Sequence, residues 1–206
     1  SSVAPARTWW WIAAESGADD APAVIAAAAA TGLAPATVRL AVQQGAHLGE
    51  RMEHALVTML DEGPSLLVGA DAPDAPLAAM LHAVALLGDD ADRGGRPRLV
   101  LGPAHDGGFW LVGMDARPEG LLAGHAAWGT ADVLDRTRAA ATASPRGWET
   151  HAVEAWSDVD TGGDLGALEA RLRAARARGE AGRPGWPART AALVLAQGGE
   201  DTPLGG

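Results

Sequence analysis

The chain has 206 residues, 48% of them hydrophobic, which fits one domain with a core of useful size. Its formal net charge of −10 argues against a nucleic-acid partner, because a phosphate backbone is normally met by a basic face. Cys is absent, which excludes disulfides and thiolate metal sites; no apolar stretch reaches membrane-spanning length, and Ser1–Arg7 lack the pattern of a secretion signal, so a soluble, cytoplasmic protein is expected.

All 16 basic residues are Arg, so no lysine is present to form a Schiff base or to bind phosphate. An anionic small molecule would then need a divalent cation or clustered Arg to offset the repulsion. Asn and Tyr are missing as well, which reads as the codon bias of a GC-rich genome and not as chemistry.

In chain order, Thr8–Ala14 reads as an aromatic-rich strand and 21–31 as an alanine-rich helix ending at Gly32. Trp9, Trp10 and Trp11 cannot share one face of a strand, so burial accounts for one or two of them, and stacking on a sugar or base stays open for the rest. Val38–Val42 alternates as a strand does. From Leu48 to Glu62 the residues Leu48, Met52, Leu56, Met59 and Leu60 recur at helical spacing and predict one buried stripe, with Gly63 as the stop.

Ser65–Gly69 is an apolar run of the kind found in a buried parallel strand, and Asp71 follows it. A carboxylate just past such a strand lies where open α/β sheets bind ligands, although Asp71-Ala-Pro-Asp74 also suits a plain turn before a helix. A helix over 75–87, a loop over 88–96 and a strand over 98–101 come next. Asp106-Gly107-Gly108 predicts a tight turn into a second strand, Phe109–Gly113, paired beside its predecessor. Glycines there permit close approach of backbone to ligand and equally suit a hairpin.

Thr130 is the expected N-cap of a helix over 131–143, and Glu149–Trp156 is a strand candidate. Thr161 and Asp164 have capping-box spacing before a long Arg-rich helix over 163–178, which makes Asp164 a cap and not a catalyst. The domain is expected to end near residue 180. Residues 181–206 read as a Gly/Pro-rich linker, a further strand over 190–196 and a flexible tail. The six His residues show no close pair at metal spacing, and no Ser sits in a G-x-S-x-G elbow.

Five segments occur in a telling order: Gln44–Met52, Gly69–Asp74, Gly102–Leu111, Trp128-Gly129-Thr130, and Asp158–Thr161 with Asp164-Leu165. Over roughly Gln43–Leu172 the chain resembles the glycosyltransferase-like family DUF2064. The resemblance implies a three-layer, Rossmann-like GT-A fold with a central, mostly parallel sheet, related to nucleotidyltransferases that act on small phosphorylated acids. It further implies Mg²⁺ or Mn²⁺ held by Asp71, Asp158 and Asp160, and Asp106 as a base. Substrate contacts would come from Gly49, Arg51, Gly107, Gly108, Trp128, Gly129 and Thr130.

The implied activity is sugar transfer from a nucleotide diphosphate donor to a small-molecule acceptor. Nucleotidyl transfer to a small phosphorylated acid is the alternative, and a non-catalytic binding domain is a third reading. The last rests on a departure from the family, whose members usually open with a strand and a Gly-rich loop ending Lys-Thr-Arg. Nothing in Ser1–Trp11 resembles it, whereas 190–206 has that strand-then-glycine order, so a circular permutation and an ordinary C-terminal strand both stand at this point.

Overall fold

The computed structural model describes residues 8–12 (as backbone), 38–88, 95–124 and 128–197. The helix expected over 21–31, most of the loop over 88–96, the side chains of Trp9, Trp10 and Trp11, and the tail beyond 197 lie outside these residues. Strands β1 (Thr8–Ile12) and β2 (Val38–Val42) pair in parallel as a two-stranded sheet. The larger sheet contains β3 (Ser65–Val68), β4 (Arg98–Pro103), β5 (Phe109–Met114) and β6 (Glu149–Ala152), in the order β3-β5-β4-β6. β5 runs antiparallel to β3 and to β4, while β6 runs parallel to β4, so β3, β4 and β6 share one direction.

The alternation of side chains along β4 and β5 builds two cores, one on each face. Leu99, Leu101, Val112 and Met114 point to one face, where helix α1 (Leu48–Leu60) contributes Leu56 and Met59, and α3 (Val133–Ala143) contributes Ala141. Val100 and Leu111 point to the other face and meet Ala79, Ala83 and Leu87 of α2 (Leu77–Gly88). Helix, sheet and helix form the three layers. Two further helices, α4 (Gly162–Ala177) and α5 (Ala188–Gln197), share a small core of Leu168, Leu172 and Ala191. No helix among the described residues is long and apolar enough to cross a membrane.

Three expectations need correction. Residues 65–68 are not fully buried: β3 pairs only with β5 among the described residues, and Val68 at its end is 38% exposed. The segment 190–196 is not a strand but part of α5, which also removes the structural basis for a permuted central strand. Ala191, Val194 and Leu195 recur at helical spacing and lie on Leu168 and Leu172 of α4, a partner that the local pattern cannot reveal. Thr130 does not cap α3. Asp132 occupies the cap position, and the Thr130 hydroxyl donates to its carboxylate.

Other local readings hold. Thr161 and Asp164 form the expected reciprocal capping box at the start of α4. Of the apolar stripe of α1, Leu56 and Met59 are buried, Met52 and Leu60 are partly buried against the same core, and Leu48 is 48% exposed beside the N-cap His47.

Candidate functional site

Because β3, β4 and β6 point the same way, the loops that follow them emerge at one edge of the sheet. Asp71 follows β3, Asp106 follows β4, and Asp158 and Asp160 follow β6. The loops are joined by backbone bonds: Val159 N–H donates to the Asp71 carbonyl at 2.9 Å, and Trp156 N–H donates to the Pro103 carbonyl at 2.9 Å. An isolated parallel bridge between Ala104 and Trp156 extends the β4–β6 pairing past the strand ends.

Asp106, Asp158 and Asp160 come together: one carboxylate oxygen from each lies within 4.8 Å of the others. That spacing suits hard oxygen donors around a divalent ion, whose bonds of about 2.0–2.6 Å place its ligands roughly 3–5 Å apart. Asp71 is outside this set but close enough for its charge to act on Asp158. The resemblance implies Asp71 as a ligand and Asp106 as a base; the carboxylate that lies with those of Asp158 and Asp160 is that of Asp106.

The half-buried Asp158 carboxyl is held above the usual carboxylate range. Burial is the main cause, a backbone N–H of its own residue partly opposes it, and the charges of Asp106, Asp160 and Asp71 add to it. Asp106 is exposed, and its Oδ1 accepts the Gly108 N–H at 2.9 Å, which fixes the carboxylate over its own turn. Asp160 is exposed as well.

The turn 104–108 closes on itself through Ala104 N–H to the Gly108 carbonyl at 3.0 Å. Gly107 has φ +95°, and a Cβ there would overlap the backbone of Ala131. The space at Gly107 is therefore filled by the approach to α3, to which its carbonyl also bonds through Leu134 N–H at 2.9 Å. Its glycine is explained by chain packing without any ligand.

Motif residues far apart in sequence also meet. Gly49, buried in the first turn of α1, leaves room for the Trp128 indole and the Leu122 carbonyl. Trp128 is half-buried and stands edge-on to Phe109 with ring centroids 6.0 Å apart. Arg51 donates to the Gly45 carbonyl at 3.2 Å, and Gly129 and Thr130 are exposed.

Two residues of consequence are not legible in the sequence. Glu53 of α1 accepts backbone N–H groups from Gly120, Leu122 and Ala123, and so pins the segment that leads to Trp128. Asp74 accepts from the Trp156 indole at 3.0 Å and from Arg171 at 2.8 and 3.1 Å. Its role depends on a residue 97 positions away, which no local pattern signals.

An open α/β sheet with this strand order, helices on both faces and acidic loops at one edge is a GT-A-like fold. The chain belongs to the family DUF2064, described as "uncharacterized protein conserved in bacteria", whose model matches residues 11–130. That match takes in Asp71 and Asp106 and ends before Asp158. The structure is also similar to a solved protein from Desulfovibrio desulfuricans G20 that is provisionally described as a nucleotide-diphospho-sugar transferase. The TM-score is 0.66 at 27% identity, over 93% of this chain and 77% of the other. No curated protein matches the chain.

Proposed function

We propose that this domain is a divalent-cation-dependent transferase that moves a sugar from a nucleotide diphosphate donor to a small-molecule acceptor. The observation that carries the reading is the meeting of Asp106, Asp158 and Asp160, from two different loops, beside Asp71. Family membership and the likeness to the Desulfovibrio protein support it.

In this reading Asp106, Asp158 and Asp160 hold Mg²⁺ or Mn²⁺. When bound, such an ion neutralises the charge that develops on a departing diphosphate. The chain's own residues supply the rest. Charge on Asp158 is disfavoured by burial and by its neighbours, so the cluster is poised to exchange repulsion for a cation. Asp71, outside the triad, is placed to orient an acceptor hydroxyl or a cation-bound water. The Phe109–Trp128 pair offers an aromatic wall next to the turn that carries Asp106.

The test is thermal denaturation with nucleotide sugars, with and without Mn²⁺, followed by an assay for release of nucleoside diphosphate. Stabilisation by a nucleotide sugar that requires the cation, with diphosphate released on addition of an acceptor, supports the proposal. Stabilisation by nucleoside triphosphates alone, with release of pyrophosphate, contradicts it and assigns nucleotidyl transfer.

A further inference from the structure

A cavity of about 500 Å³ opens between the start of α2, the outer face of α4 and the segment 180–187. Its size falls within the roughly 300–1,000 Å³ usual for small-molecule sites. None of Asp106, Asp158 and Asp160 lines it, nor does Asp71, so it is distinct from the acidic site.

Its walls combine two chemistries. Leu77, Pro184, Trp186 and Pro187 form an apolar side, and Arg171, Arg178 and Arg183 supply positive charge. Two carboxylates, Asp74 and Glu180, also line it, so the lining has three cations against two anions in a chain of net charge −10. This local positive excess runs against the charge of the whole protein.

The cations are unequally engaged. Arg178 is held by Glu180 through Nε to Oε1 at 2.6 Å and Nη2 to Oε2 at 3.2 Å. Arg171 is braced from behind: Asp74, whose side chain is 7% exposed, takes its Nε and Nη2, and its guanidinium lies 5.6 Å from the centre of the Trp156 ring. Arg171 Nη1 makes no hydrogen bond among the described residues, and Arg183 makes no ion pair among them; Glu180 is close enough to feel its charge but is already bonded to Arg178. A fixed guanidinium with a spare donor edge and a second uncommitted one suit an anion.

The segment that closes the cavity is folded and not a loose linker. Arg183 N–H bonds the Glu180 carbonyl at 3.1 Å, Trp186 N–H bonds the Arg183 carbonyl at 3.0 Å, and Trp186 packs against the α4–α5 core.

We infer that this cavity binds a small organic anion, a carboxylate or phosphate monoester on an apolar or planar body, with the anion at Arg171 and Arg183 and the body against Trp186 and Leu77. The inference does not depend on the cation site or on the transferase reading.

The test is isothermal titration calorimetry of the full chain with 1-naphthyl phosphate in EDTA, with 1-naphthol as the uncharged comparison. One saturable site is expected, with 1-naphthol at least tenfold weaker. Arg183→Ala should weaken the phosphate by about tenfold, as expected for loss of one charged hydrogen-bonding partner. Trp186→Ala should weaken both compounds, and Asp158→Asn neither. Arg183 is exposed, so its variant keeps the test decisive if Trp186→Ala fails to fold. Absence of saturable binding, equal affinity for 1-naphthol, or unchanged affinity in Arg183→Ala would overturn the inference.

Discussion

Asp158 has the most perturbed surroundings of the acidic site: half-buried, and within the electrostatic reach of Asp71, Asp106 and Asp160. Its folded-state pKa is raised, so between the unfolded and folded values the native state binds more protons than the unfolded state. The slope of stability with pH is then negative, and the Asp158 contribution is lost as pH rises from the ordinary carboxylate value through the raised folded-state value. In cation-free protein Asp158→Asn should accordingly raise the melting temperature at neutral pH and flatten this part of the pH profile. A lower melting temperature at neutral pH would show that Asp158 stabilises the fold by bonds that outweigh the repulsion.

Removing Asp74 should instead destabilise the fold, because its nearly buried carboxylate ties the turn before α2 to α4 through Arg171 and to the 153–160 loop through Trp156. Asp74→Ala strands a partly buried guanidinium and an indole N–H, at a cost of roughly 3 kcal/mol. Urea denaturation should show this as a lower midpoint with an unchanged slope.

At the scale of elements, the turn between β4 and β5 is set by contact as much as by local sequence. Gly107→Ala would add a Cβ at φ +95° and push it into the backbone of Ala131, a combined strain and overpacking cost of on the order of 3 kcal/mol. Chemical denaturation checks this, and Gly108→Ala in the same turn, where the nearest atom is the Asp106 carboxylate at 3.2 Å, should cost less. Glu53→Ala should release 120–123 from α1, and faster hydrogen exchange at Gly120, Leu122 and Ala123 would report it.

These elements also show where the sequence is informative. The α1 stripe, the β4–β5 hairpin and the capping box at Thr161 depend on neighbours within a few residues, and each is present. The helix at 188–197 and the position of β3 at an edge among the described residues depend on partners elsewhere in the chain. Periodicity alone is ambiguous for the first and silent on the second.

For the molecule as a whole, sequence order already placed an Asp after each of three strands, and a shared strand direction brings their loops to one edge. It could not settle which carboxylates meet, because that depends on side-chain direction at the end of each loop; Asp106 joins Asp158 and Asp160, and Asp71 stays beside them. Transferase activity of the proposed kind requires this cluster to be a divalent-cation site.

Direct titration of the cation-free protein with Mn²⁺ tests it, read by calorimetry and by melting temperature. At a hundredfold excess over Kd, a bound cation stabilises by about 2.7 kcal/mol, which raises the melting temperature of a chain this size by roughly 5–10 °C. One saturable Mn²⁺ site, lost in both Asp106→Asn and Asp158→Asn and weakened less in Asp71→Asn, is the predicted result. No saturable binding by the unaltered protein, or binding that survives both Asp106→Asn and Asp158→Asn, would contradict the account.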